Sequence, residues 1–201
     1  MISNSVISDK PLYQRLLKQL DKDLIAIKTV MPKSVHPTLK QTTIWFESSM
    51  PKPMGNNLFF NGSRKLSQKY QIQHLYGGVI AGSTKAYLAV SHIHPWQLLH
   101  ELTHAYHQFI IKHSFQPINI AYQNALDTNL HQFGNRYALK NKKEYFSTLT
   151  EAYFGHDSNF PHNKNQLAEH DPVGYCAIVL AWGMLEQQDP NAPLKCSKVM
   201  K

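Results

Sequence analysis

A chain of 201 residues with 42% hydrophobic content can bury one sizeable core, and its composition suggests no second one. The formal charge is +8 and the pI near 9.4, which raises nucleic acid, a membrane surface or an acidic substrate as partner, yet the lysines and arginines are scattered along the sequence. The apolar runs fall far short of a bilayer span, and MISNSVISDKPLYQ lacks the charged start, apolar middle and small-residue cleavage site of a secretory signal, so a cytoplasmic protein is the default expectation, with export by another route left open.

Asp9-Lys10-Pro11 reads as a helix start. Leu12, Leu16, Leu20, Leu24 and Ile27 recur at helical spacing until Pro32 ends the pattern, and this stripe reads as core. Thr42 to Glu47 is β-branched and aromatic, a short strand, whereas Ser48 to Gly62 holds two prolines, two glycines and three asparagines and reads as a loop. Val79-Ile80 and Ala86 to Val90 read as two further strands joined through Gly82-Ser83-Thr84-Lys85. The segment from Gly77 to Lys85 resembles a phosphate-binding loop in its glycine spacing, but Ser83 stands where that motif needs lysine, and the reading is rejected.

A helix follows in PWQLLHELTHAYHQFII, with Pro95 suited to its first turn and Leu98, Leu99, Leu102, Ala105, Phe109 and Ile110 as the apolar stripe. Beyond it the chain reads almost wholly helical: about Pro117 to Leu130, Lys142 to Phe154 with Gly155 as its stop, and Val173 to Glu186. The expected architecture is therefore α+β, a small N-terminal sheet with helices followed by a mostly helical C-terminal half. It forms a single domain over 1–186 with a loose polar tail over 187–201. The densest basic group, Lys140, Lys142 and Lys143, has no aromatic interleaving and reads as a solvated helix start. Cys176 in an apolar helix and Cys196 in the tail form no CxxC pair and no disulfide framework, and whether they pair is left open.

The chemistry lies in His100-Glu101-Leu102-Thr103-His104, the HExxH arrangement of a zinc hydrolase. Chance would produce it only about 0.02 times in a chain of this composition. A four-residue helical step turns about 400° and climbs about 6 Å, so both imidazoles leave one face and can share an ion. Glu101 points slightly aside, where it reaches a water on that ion and can act as general base. The plain alternative is a core helix with two hydrogen-bonded histidines, which is costly unless something pairs them.

A catalytic zinc usually takes three protein ligands. A metzincin would need Gly at position 107 and His at 110, where this chain has His107 and Ile110. Few acidic residues follow the motif, and two of them, Glu144 and Glu151, share one predicted helix two turns apart. His107 follows His104 by one turn and either lines a cleft or is partly exposed. His92 and His94 alternate as on a strand face and are assigned no metal.

From about Gly77 to Gly183 the chain resembles gluzincin-type zinc peptidases similar to the catalytic domain of anthrax-toxin lethal factor and its small uncharacterised bacterial and fungal relatives. The carrying segments are HELTHAYH, Tyr137 through Glu144-Tyr-Phe, and TEAYFG followed by DPVGY. The resemblance implies a zincin-like fold, with Glu144 as third zinc ligand, Tyr137 as donor to the developing oxyanion and Asn141 between them. Taken from the residues alone, Tyr137 can equally pack, and Glu144 can be a carboxylate favoured by its helix N-terminus. One departure stands out: the family usually carries another glutamate one turn after the ligand, and this chain has Thr148. Glu151 or the Thr148 hydroxyl would have to orient a ligand histidine instead, a kind of support that typically affects metal affinity 10–100-fold.

The expected function is a zinc metallopeptidase with one Zn²⁺ per chain, hydrolysing peptide bonds of a peptide or protein substrate by a zinc-activated water with Glu101 as general base. The alternative is a catalytically weakened zinc-binding module of the same fold, motivated by Thr148. A basic nucleic-acid module is motivated by charge alone and is disfavoured.

Overall fold

The computed structural model describes residues 1–50, 57–132, 134–184 and 192–196. The chain is a mixed α+β protein whose contacts gather into two compact units, Met1–Tyr106 and His107–Lys201.

The first unit opens with a short helix α1 (Asn4–Ser8) and then the long helix α2 (Lys10–Val30). Asp9 caps α2 by accepting from the Leu12 N–H at 3.1 Å, and Met31 closes it by donating to the Ile27 carbonyl at 2.9 Å, just before Pro32. The predicted leucine stripe drifts. Steps of four advance about 40° beyond a full turn, so Leu12 and Leu16 are buried while Leu24 is 39% exposed. Asp23 takes the inward position one heptad after Leu16, where it accepts from Gln19 Nε2 at 2.8 Å and from the Tyr87 hydroxyl.

After a short helix α3 (His36–Leu39), strand β1 (Ile44–Phe46) falls within the predicted Thr42–Glu47 segment. Strand β2 (Leu58–Phe60) lies in the region expected to be loop, where an apolar triplet is bounded by Asn57 and Asn61. Residues 51–56 of that expected loop lie outside the described residues. Next come α4 (Arg64–Lys69) and β3 (Val79–Ala81). The sheet order is β1-β3-β2: β1 runs parallel to β3 with Trp45 opposite Ile80, and β2 runs antiparallel with Phe60 opposite Val79. All three β3 residues are buried, as a central strand covered on both faces requires.

The expected strand over Ala86 to Val90 is instead helix α5 (Thr84–Val90). Ser83 is extended, and its Oγ accepts from the Ala86 N–H at 3.3 Å, a helix cap placed where the sequence reading saw a turn. Thr84 anchors this start by donating from its N–H and its hydroxyl to the Glu47 carbonyl, each at 2.7 Å. Helix α6 (Gln97–Tyr106) completes the unit and packs on β2, β3 and α3.

The second unit begins with a π-helical turn over His107–Ile111. It continues with α7 (Gln116–Asp127), a 3₁₀ turn over Arg136–Lys140, α8 (Lys142–Phe154), α9 (Lys164–His170) and α10 (Pro172–Ala181). Its core joins Tyr145, Phe146 and Leu149 of α8 to Tyr175, Ile178 and Val179 of α10. Trp182 stacks on Phe146 and donates from Nε1 to Thr150 Oγ1 at 3.2 Å. Gly174 permits this approach, because a Cβ there would collide with the Tyr145 hydroxyl, the Asp171 carboxylate and Leu149. Helix α10 stops at Ala181, with Gly183 at φ +66°, rather than running to Glu186.

The pairing of the two cysteines, left open by the sequence, is decided by the fold. Cys176 and Cys196 are disulfide-bonded with Cα atoms 5.2 Å apart, so the tail is tied to α10 at that point, and Cys196 is buried. The rest of the expected tail, 187–191 and 197–201, lies outside the described residues. No helix among the described residues is long and apolar enough to cross a membrane.

Candidate metal centre

Helix α6 begins where the Trp96 carbonyl accepts from His100 N–H at 3.0 Å, so Pro95 stands just before the first turn rather than inside it. Leu98, Leu99, Leu102 and Ala105 are buried as the stripe predicts. Phe109 and Ile110, expected to continue that stripe, are 45% and 47% exposed, because the π-helical turn winds more residues per turn and rotates them out of it.

On the face beside the stripe, His100 is buried and His104 and Glu101 are half-buried. The two imidazole centroids are 4.8 Å apart with ring planes at 84°. One nitrogen of each ring and one Glu101 oxygen all lie within 4.8 Å of one another, a group that could hold a metal ion. This is the convergence that the four-residue spacing predicts.

Strand β2 supplies what the sequence reading missed. The Phe60 N–H donates to Glu101 Oε2 at 2.7 Å, and the Phe60 ring stacks on His104 with centroids 6.4 Å apart. One residue thus holds the carboxylate through its backbone and covers an imidazole with its side chain. The apolar triplet Leu58-Phe59-Phe60 was the available signal, but no local pattern says which helix side chain meets a strand's outward N–H.

Tyr137 and Glu144 belong to the second unit. Tyr137 is 49% exposed on the 3₁₀ turn, with Lys140 Nζ 5.0 Å from its ring centroid. Glu144 lies in the first turn of α8, where Asn141 Oδ1 accepts from the N–H groups of Lys143 at 3.0 Å and Glu144 at 3.2 Å. The following Tyr145 and Phe146 are core residues, so the segment changes from half-buried to fully buried within one residue. Thr148 is buried one turn further on, and Glu151 is half-buried. His107 is buried rather than partly exposed, with its ring 4.7 Å from His113 and 5.1 Å from Phe146. His92 and His94 are exposed in the turn after α5, not on a strand.

A second polar cluster lies within the second unit and was not legible from sequence. Asp171, fully buried, caps α10 by accepting from Gly174 N–H at 2.8 Å. Its other oxygen accepts from the Tyr145 hydroxyl at 2.6 Å and meets His131 Nε2 at 3.0 Å. Burial, then the Asp171 charge and hydrogen bond, push the Tyr145 phenol well above its ordinary range, so it stays a donor. Burial, followed by the neighbouring His131, lowers His170, against the pull of Asp171. This cluster ties α8 and the His131 turn to the start of α10.

Comparison with known proteins gives no match to a family model, a curated protein or a solved structure.

Proposed function

We propose that this chain is a gluzincin-type zinc metallopeptidase of zincin-like fold, similar to the lethal factor catalytic domain. The observation that carries the reading is the convergence of His100, His104 and Glu101 within 4.8 Å on one helix, with Glu101 held by the Phe60 backbone. Two imidazole nitrogens with carboxylate oxygen form a donor set suited to zinc. His100 and His104 would hold the ion. Glu144 as third ligand and Tyr137 as oxyanion donor rest on the sequence resemblance. Zinc bound there supplies Lewis acidity, which polarises a carbonyl and brings the pKa of water down to about 7.

The chain's own residues do the rest. Glu101 takes a proton from the attacking water and returns it to the leaving amine, with one oxygen kept in place by the Phe60 N–H. The Tyr137 hydroxyl donates to the negative charge that develops on the scissile carbonyl oxygen.

The experiment joins metal analysis to digestion of a diverse peptide pool. The expected result is one zinc per chain and cleavage that chelation abolishes and zinc restores. A chain that binds no divalent ion, or whose His100→Ala and His104→Ala variants retain it as the parent does, would sink the proposal. Buried Thr148, at the position where the family has a glutamate, favours a second reading, a zinc-binding module without turnover. Full zinc loading with no cleavage in the pool selects it.

A further inference from the structure

Helices α2 and α5 build a basic cavity that neither the zinc site nor its residues account for. Arg15, Lys18 and Lys22 follow one another at helical spacing along one face of α2, and Lys85 and His92 stand two turns apart along α5 and the turn after it. The two helices pack together, and these side chains line a cavity of about 730 Å³ between them. All five are exposed. Among the described residues, no ion pair neutralises any of the four fixed cations.

The nearby acids offset this charge only in part. Asp23 is buried, engaged by Gln19 and by the Tyr87 hydroxyl, and interacts electrostatically with Lys22 and His92. Asp21, the other acid of α2, lies one turn from Lys18 and about 100° round the helix from Lys22, and forms no ion pair with either. Lys18 and Lys22, one turn apart, repel each other weakly, and an anion between them would relieve that repulsion.

The dimensions choose among anions. Two helical turns span about 10 Å. An extended acidic peptide sends side chains to one side only every 7 Å or so, so it would bring about two carboxylates to four cations. A single nucleic-acid strand needs aromatic platforms, and this lining instead offers Leu88 and Ala89. A small scaffold carrying several phosphoryl groups matches both the charge density and the volume of this open cleft, a size usual for small-molecule sites.

We propose that the cavity between α2 and α5 binds a compact, soluble polyphosphorylated anion through Arg15, Lys18, Lys22 and Lys85. The proposal is independent of the zinc chemistry. Inositol hexakisphosphate is the probe, titrated calorimetrically into the full chain. Saturable binding of one anion per chain is expected, weakening steeply with salt. The variant K18Q/K22Q/K85Q should lose more than about tenfold in affinity, whereas K33Q/K65Q/K143Q, with the same change in net charge, should stay within about threefold. Because the replaced lysines are exposed and glutamine is as good a helix former, both variants should melt like the parent; R15Q supplies a single-site check.

Four results overturn the proposal. They are absence of saturable binding, equal loss in both triple variants, tighter binding to a short oligonucleotide or a glutamate peptide, and binding confined to vesicles bearing a polyphosphorylated headgroup that the soluble probe does not displace.

Discussion

Replacing Glu101 in two ways separates its chemical role from its structural one. Glutamine keeps an oxygen that can accept from the Phe60 N–H, now 2.7 Å from Oε2, but it cannot take a proton. Turnover of any peptide the parent cleaves should fall about 10²–10⁴-fold, with zinc content unchanged and stability within about 0.5 kcal/mol. Alanine removes the acceptor as well. Phe60 is only half-buried, so its stranded N–H should cost about 1 kcal/mol, the lower end for a lost buried partner. For a chain of this size that lowers Tm by about 2–4 °C. Kinetics on a cleaved peptide, metal analysis and thermal melts of all three proteins make the test. A glutamine variant as active as the parent refutes the general-base assignment, and an alanine variant as stable as the glutamine variant refutes the role given to the strand contact.

Glu144→Ala should reduce zinc retention under mild chelation while the melt of the metal-free protein barely moves, because the residue is half-buried and Asn141 still caps α8; unchanged zinc content would move the third ligand elsewhere. Asp171→Ala leaves the Tyr145 hydroxyl, His131 and the Gly174 N–H without their buried acceptor, and denaturant unfolding should register a loss of about 3–5 kcal/mol. Asp23 gives a pH-dependent difference. Burial raises its carboxyl above the ordinary 3.8, although Tyr87, Gln19, Lys22 and His92 oppose the shift. The folded chain therefore holds this proton to higher pH than the unfolded one, a stabilisation complete below 3.8 and lost as pH rises through the folded value. Parent minus Asp23→Asn stability should accordingly decline as pH rises above about 4, and a flat or rising difference contradicts the burial argument.

Much of this was legible in the residues because it depends on local geometry. The HExxH spacing fixes which side chains share a helix face, and α6 brings those three together. Asp9-Lys10-Pro11 marks a helix start, and α2 begins there with Asp9 as its cap; the helix expected from Lys142 also begins there. Ala86 to Val90 failed for the same reason in reverse. A short apolar run has no decisive period, and Ser83 acting as a cap decided for helix.

What remained hidden belongs to contacts between distant segments. The Phe60 backbone meeting Glu101, the closure of Cys196 onto Cys176, and the Asp171 cluster each join residues separated by 20 or more positions, apart from its own cap on Gly174. The basic cavity shows it too: Arg15, Lys18 and Lys22 share one face of α2 by their spacing, but Lys85 joins them only when α5 packs on α2.

The sequence by itself therefore determined the metal-capable helix face, since a backbone with 3.6 residues per turn brings positions 100 and 104 together wherever that helix sits. The tertiary structure decided which strand holds the glutamate and where the positive charge gathers, because the balance of burial and hydrogen bonding that selects one packing is summed over the whole chain rather than written in any short stretch of it.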